Sequence, residues 1–214
     1  MVDEMKEEEI TREGNPAHPE GKAGAMMLER MNASHYALTG WALSFWQIKE
    51  DDVILDVGCG GGMTLHRMAD EVKTGRLVGV DYSETSVEES KATNTSDIAS
   101  GKMRIELASV DHFPFEDEMF DKIITVESFY FWPDAVRDLK EVHRVLKKDG
   151  VFLLTADIYD KPGLSEEVKE NIRMYGLRNP DPDAFRRYFE EAGFSECIIH
   201  TKDGTDWICV EGHK

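Results

Sequence analysis

Val53-Ile54-Leu55-Asp56-Val57-Gly58-Cys59-Gly60-Gly61-Gly62 decides how the rest of this 214-residue chain is read. A short apolar run, too brief for a helix, ends in glycines, as a buried strand does when it leads into a turn. Leu65, Met68, Ala69 and Val72 follow at helical spacing, so the glycines lie between a strand and a helix. In that context backbone approaches a ligand closely, and the helix N-terminus offers unpaired N–H groups. A dinucleotide fingerprint, G-x-G-x-x-G, needs its third glycine at position 63 counted from Gly58, or at 65 counted from Gly60. Met63 and Leu65 stand there, so the pattern fails in both registers, and no P-loop motif occurs. The spacing that fits is Gly58, Gly60 and Gly62 with Asp56 two residues ahead of the first. An acid there repels pyrophosphate and favours a ligand with positive charge, such as an ammonium or sulfonium. Its plainer role, ordering the loop by accepting backbone N–H bonds, is compatible with that one.

Outward from the loop, strand and helix alternate. Leu77-Val78-Gly79-Val80 is a second strand stopped by Asp81, a carboxylate placed to accept both hydroxyls of a ribose or, more plainly, to cap a helix. Ser83 caps a helix running to about Ser100. Met103 to Leu107, Lys122 to Val126 and Val151 to Ala156 are three further strands. Pro133 suits the first position of a helix that buries Val136, Leu139, Val142 and Leu146 and ends at Lys147, Lys148 and Gly150. Such alternation predicts parallel strands joined by crossover helices on both faces of one sheet. The C-terminus departs from it. A helix from Asp183 to Ala192 precedes a strand at Glu196 to His200. The turn Lys202-Asp203-Gly204-Thr205 is short enough to force an antiparallel hairpin with Trp207 to Val210.

Composition narrows the function. Lys and Arg total 25 against 43 Asp and Glu, a net charge of −18, which argues against a nucleic-acid partner and an anionic membrane surface. Cys59, Cys197 and Cys209 are too few and too scattered for a disulfide framework or a zinc site, so no metal is expected and a reducing, cytoplasmic location is. The N-terminus, MVDEMKEEEI, lacks the features of a signal peptide. Met31 to Ile48 carries no Asp, Glu, Lys or Arg but is too polar for a membrane span; Leu38, Trp41, Ala42 and Phe45 mark it as an amphipathic helix laid on a core.

The blocks VILDVGCGGG, LVGVDYS, SVDHFPFEDEMFDKIITVES and LKEVHRVLKKDGVFLLT, in this order, resemble class I S-adenosylmethionine-dependent methyltransferases, in particular the small single-domain branch grouped with ubiquinone and sterol methyltransferases. The resemblance covers about residues 50 to 160. It implies an α/β, Rossmann-like, doubly wound and mostly parallel seven-stranded sheet with an antiparallel C-terminal hairpin and an N-terminal helical lid. By the resemblance, Gly58, Cys59 and Gly60 lie against the methionine part of S-adenosylmethionine, Asp81 holds the ribose and Tyr82 meets the adenine. The family often has Asp where this chain has Ser109, so the adenine amino group is offered a neutral acceptor, with the N–H of Val110 for the ring and Asp111 a more distant substitute. The expected organisation is an acidic, poorly ordered tail over 1–20 and one domain over 21–214. Within it, 21–49 is the lid, 50–157 the cofactor core, and 158–214 the acceptor cover and last strands.

The expected reaction is in-line methyl transfer to a small-molecule acceptor, with S-adenosylhomocysteine as product. In open α/β sheets ligands sit beyond the C-terminal strand ends. Glu127, after the fourth strand, is the first candidate, for holding the acceptor, taking a proton or binding the cofactor ammonium, with a water-facing loop carboxylate as its plainer role, and His35 in the lid is the second candidate base. Tyr130, Trp132 and Tyr159 are candidate acceptor contacts, whereas Phe129 and Phe131 read as packing. Arg173, Tyr175 and Arg178 lie in the expected cover. Two other readings stay open: a regulatory protein that binds S-adenosylmethionine without turnover, and a nucleotide-dependent oxidoreductase, which Met63 and Leu65 disfavour. The aromatic lid leaves room for a homodimer.

Overall fold

The computed structural model describes residues 10, 11 and 13–214. Its centre is one seven-stranded sheet in the order β3-β2-β1-β4-β5-β7-β6. The strands are β1 Val53–Val57, β2 Arg76–Asp81, β3 Met103–Leu107, β4 Phe120–Val126, β5 Leu146–Ala156, β6 Glu196–Thr201 and β7 Ile208–His213. The first five run parallel, and β7 lies antiparallel to both β5 and β6. The hairpin therefore folds back, and the last strand enters the sheet between β5 and β6. This is the mostly parallel, Rossmann-like sheet with an antiparallel C-terminal hairpin. The chain reverses between β1 and β4: β1 pairs with β2 on one side and β4 on the other, which opens a crevice at their carboxyl ends.

Helices cover both faces: α1 Gly21–Ser34, α2 Tyr36–Leu43, α3 Met63–Met68, α4 Glu84–Thr93, α5 Thr95–Ala99, α6 Ala135–Val145, α7 Glu166–Tyr175 and α8 Pro182–Ala192. One face of the sheet packs Leu139, Val142, Phe185 and Phe189 against Phe152 and Leu154. The other packs Ala42, Leu65, Met68 and Val87 against Ile54, Ile124 and Leu153. Alternation along β5 sends Phe152 and Leu154 to one core and Leu153 to the other.

Several boundaries differ from the sequence reading. The lid expected over 21–49 is two helices that break at His35, the second ending at Leu43 rather than Ile48. The helix expected over 84–100 breaks at Asn94, whose side-chain amide donates to Gly62 O (3.1 Å) and Ser90 O (3.0 Å). Asp134, not Pro133, opens α6: its carboxylate accepts from Arg137 N at 2.9 Å, and Pro133 lies before the cap. Lys147, Lys148 and Gly150 belong to β5 rather than to a helix end, because a register shift opposite Phe120 and Lys122 lets the strand begin at Leu146. Lys147 Nζ anchors that shift on Asp121 (2.9 Å), whose carboxylate also accepts from Val53 N (2.8 Å). The tail expected to be poorly ordered is placed in part. Ile10 is buried, and Pro19 O accepts from Ser83 Oγ at 2.6 Å, so capping of α4 holds residues 13–20 against the sheet end. Residues 1–9 and 12 lie outside the described residues. Among the described residues no helix is long and apolar enough to cross a membrane.

Phe189 is fully buried, stacked on Phe152 (5.7 Å between ring centroids) and close to Phe194 (4.8 Å). Its ring also approaches Gly212 so closely that a Cβ there would come within 2.6 Å of it. Phe189→Ala is expected to lower the unfolding free energy by about 3–5 kcal/mol, read by urea denaturation as a lower midpoint at unchanged slope.

Candidate active site

The glycine loop is fastened to the end of β2. The N–H groups of Gly58 and Cys59 both donate to Val80 O, at 2.8 and 3.0 Å. Gly60 N–H donates to Asp81 Oδ2 at 3.0 Å, and Ser83 N–H to Asp81 Oδ1 at 2.9 Å. Each Asp81 oxygen thus takes one backbone hydrogen and keeps capacity for another. Gly58 has φ +71°, and a Cβ on it would come within 2.5 Å of Ser128, so both backbone angle and space require glycine. From the far side, Thr93 Oγ1 donates to Gly61 O at 2.8 Å, so α4 clamps the loop against α3.

A cavity opens beside this loop. Gly58, Gly60, Asp81, Tyr82, Ser109, Val110, Glu127 and Trp132 all line it. Its apolar wall comes from Val80 and Val110, and its roof from Leu28 and Met31 of α1 with Pro16, Ala17 and Pro19. Sequence reasoning did not foresee this roofing strap. His18 within it rests on Tyr82, with ring centroids 4.8 Å apart. Three of the residues named for the cofactor stand elsewhere. Gly62 starts α3 with φ +80° and serves the turn. Cys59 is buried with Sγ 3.7 Å from Ser90 Oγ, and burial beside Asp56 and Asp81 pushes its thiol well up. Asp56 is 1% exposed beneath the loop, with Oδ2 buried and without a partner. Burial, and then the charge of Asp81, push the Asp56 carboxyl up to about 8. It therefore holds its proton to a higher pH than an exposed carboxyl, which weakens its role as the fixed charge the sequence suggested. Asp111 is no substitute for Ser109: the Ser109 hydroxyl and then Arg137 hold it below its usual range on the exposed side of the turn.

The carboxyl ends of β4 and β5 carry a second group of polar residues. Glu127 takes a left-handed backbone, φ +57°, directly after β4. That conformation lets its N–H bond Thr155 O (3.0 Å) while its side chain, 8% exposed, turns inward. Glu127 Oε1 accepts from the N–H of Asp157 and lies 3.1 Å from Tyr130 Oη. Tyr130 Oη also lies 3.0 Å from Asp157 Oδ1 and accepts from Ile158 N at 3.3 Å. His35 Nε2 stands 3.9 Å from Glu127 Oε2. Burial and the charge of Asp157 push Glu127 well above the usual carboxylate range. Burial lowers His35, against the opposing charge of Asp157. The structure thus brings Glu127, His35 and Tyr130 together and adds Asp157. The rule that ligands gather beyond strand ends pointed to Asp157 and Tyr159 together; Tyr159, the candidate acceptor contact, lines neither cavity and lies under Lys161 Nζ at 5.2 Å. Ser128 was also missed. Its Oγ contacts Thr125 Oγ1 and Val57 O (3.2 Å) and accepts from Trp132 Nε1 (3.2 Å), locking the end of β1 to the cavity wall.

A second cavity lies on the other side of Glu127, lined by His35, Tyr130, Asp157, Ile158, Tyr175 and Leu177 among others. Phe131 lines both cavities and is not simply packing, as are Glu127, Met31 and Pro16. Tyr175 of α7 reaches this cavity, whereas Arg178 is spent on the carbonyls of Trp132 (3.0 Å) and Pro133 (3.2 Å).

Residues 48–207 match the family model described as methyltransferase domain. The chain belongs to that family. An uncharacterized methyltransferase of Bacillus subtilis, YdaC, is 27% identical over 173 residues, 81% of this chain and 88% of the relative. Among solved structures, the methyltransferase bound to the Trm112 methyltransferase activator of Haloferax volcanii superposes with TM-score 0.75 at 22% identity, over 89% of this chain and 96% of that one. Haemonchus contortus phosphoethanolamine N-methyltransferase 2, solved with phosphomonomethylethanolamine and S-adenosylhomocysteine, superposes with TM-score 0.70 at 15% identity, over 85% of this chain and 52% of that one. The chain is a class I methyltransferase, an enzyme that uses S-adenosylmethionine. The cavity suits that cofactor: a carboxylate with spare acceptor capacity, a glycine-lined edge that side chains would fill, and an apolar slot between Val80 and Val110.

The buried Asp56 makes stability depend on pH. In the unfolded chain it loses its proton near 3.8, and in the native state near 8. The native state therefore holds a proton that the unfolded state lacks; this stabilisation is full below about pH 4 and is lost as pH rises to about 8. Asp56→Asn keeps the shape without the titration. The melting temperature of the variant relative to the parent is expected to rise between about pH 5 and 8 and to level off above.

Proposed function

We propose that this methyltransferase moves its methyl group to a small-molecule acceptor held in the second cavity, with Glu127 taking the acceptor's proton. The observation that carries this reading is that Glu127 and Phe131 line both cavities, so the partition between them is where donor and acceptor would meet. S-adenosylmethionine supplies an electrophilic methyl on a sulfonium when bound. Asp81 would hold the ribose hydroxyls, Tyr82 and the Ser109–Val110 segment would contact the adenine, and the loop from Gly58 to Gly60 would face the methionine part.

The residues around the partition do three things. Met31, Phe131 and Pro16 exclude water from it, so a nucleophile that enters loses its hydration and lies close to the methyl. Glu127 is a stronger base than an exposed carboxylate, because burial and Asp157 raise its proton affinity. His35, whose pKa burial lowers, stands 3.9 Å from Glu127 at the edge of the acceptor cavity. The strap with Pro16 and Pro19 roofs the cofactor cavity and touches the acceptor cavity through Pro16, so it would close over both.

Calorimetric titration with S-adenosylmethionine, S-adenosylhomocysteine and NADH tests the cofactor assignment. Both adenosyl ligands are expected to bind and NADH is not. Asp81→Asn should weaken S-adenosylhomocysteine by about 10- to 100-fold, the value of charge-assisted hydrogen bonds. NADH binding alone would overturn the reading. Glu127→Gln is expected to lower methyl transfer from labelled donor by about 10²- to 10⁴-fold, measured at saturating S-adenosylmethionine. Unchanged turnover in this variant would remove Glu127 from the reaction.

A further inference from the structure

We infer that the acceptor is a small amine that arrives as an ammonium ion, and that the enzyme is an N-methyltransferase. This rests on the acceptor cavity assigned above and narrows its occupant. The argument begins with a hydrogen count. Tyr130 Oη lies within hydrogen-bond distance of both Glu127 Oε1 (3.1 Å) and Asp157 Oδ1 (3.0 Å), and its lone pairs already receive Ile158 N–H (3.3 Å). A phenol has one hydrogen and cannot donate to two carboxylates. The phenol donates to one of them, and a proton shared between Glu127 and Asp157 is the arrangement we infer for the other contact. The charge of Asp157 acting on Glu127 agrees with that arrangement.

An ammonium is the ligand that exchanges for such a proton. It brings a positive charge and several N–H donors to two adjacent carboxylates, and it makes their shared proton unnecessary. The other groups that face the cavity suit the same guest. Phe131 and Tyr175 line the cavity, and aromatic rings attract cations. His35 is held neutral by burial. Arg30 of α1 also lines the cavity, but its guanidinium is engaged with Thr11 Oγ1 (2.9 Å) and Met27 Sδ (3.1 Å). A carboxylate or phosphate would meet Glu127 and Asp157 with like charge. An alcohol or phenol would leave the stored proton in place and the base occupied.

The same pair completes the reaction. On binding, the ammonium displaces the stored proton to solvent. Before transfer, one ammonium proton passes to the freed Glu127 carboxylate and leaves a neutral amine with a lone pair. The amine nitrogen attacks the methyl carbon. The N–C bond forms as the S–C bond breaks, the S–C electron pair returns to sulfur as a thioether, and the positive charge moves from sulfur to nitrogen. The product leaves as a methylammonium, and the proton on the pair restores the resting cluster.

Proton release tests the inference apart from turnover. Enzyme saturated with S-adenosylhomocysteine is titrated with benzylamine, n-hexylamine and piperidine, and with benzyl alcohol, n-hexanol and benzoate, in buffers of different ionisation enthalpy. The amines are expected to bind with release of up to one proton each, and at least about tenfold tighter than the alcohols. In Glu127→Gln and in Tyr130→Phe, each still saturated with S-adenosylhomocysteine, the proton release is expected to fall and the amine preference to shrink. If the complex with S-adenosylhomocysteine forms but no amine binds, or an alcohol or benzoate binds as tightly as its amine counterpart, the amine assignment is overturned. Binding of amines without proton release overturns the stored proton. Failure of S-adenosylhomocysteine itself to bind would instead strike the cofactor reading on which all of this rests.

Discussion

The bond from Gly60 N–H to Asp81 Oδ2, together with the capture of Gly58 and Cys59 by Val80 O, folds the glycine loop down onto the end of β2. Both sides of the cofactor cavity follow from it. Without that tether the chain leaving β1 would run outward, and α3 would not start where Asn94 and Thr93 can clamp its first turn. The tether depends in turn on the parallel pairing of β1 with β2, which brings Val57 level with Val80. Asp81 is therefore a structural acceptor for two backbone hydrogens as well as the carboxylate available to a ribose.

On the other side of β1 a second fastening carries the chemistry. Thr125 Oγ1 donates to Val57 O at 2.8 Å, and Ser128 joins it there and receives Trp132 Nε1. This holds the turn after β4 against the glycine loop. The left-handed backbone of Glu127 then directs its carboxyl into the space between the two cavities. A strained residue at such a point has a cost, and the bonds from Asp157 N–H and Tyr130 Oη compensate for part of it. Acid, phenol and backbone are thus coupled, and the proton affinity of Glu127 belongs to the group rather than to one side chain.

Much of the fold was legible because its signals are local. Apolar runs of strand length, helical spacing after each, and a four-residue turn before the last strand carry the order of elements with no long-range information. Boundaries failed where a distant partner intervenes. Asn94 breaks a helix because it reaches the glycine loop, and β5 starts early because Lys147 finds Asp121 across the sheet. Among site residues, Asp81, Tyr82, Ser109, Val110 and Glu127 were reachable from strand ends and family blocks, and all line the cofactor cavity. Asp157 and Tyr159 both lie just past the end of β5, and only the folded chain shows that Asp157 meets Tyr130 while Tyr159 lines neither cavity.

The sequence by itself determined the alternation of strands and helices, the position of the glycine loop and the two acids that bracket it, because each rests on spacing within one element and its turn; the order of the strands came from their pairing. Tertiary structure alone decided the ionisation of Asp56, the grouping of Glu127 with His35, Tyr130 and Asp157, and the use of residues 13–20 as a roof. Ionisation follows burial and neighbouring charge, and neither exists until separate strands and helices have packed together. The strap reads as a polar tail until Ser83 and Tyr82, more than sixty residues away, give Pro19 and His18 something to hold.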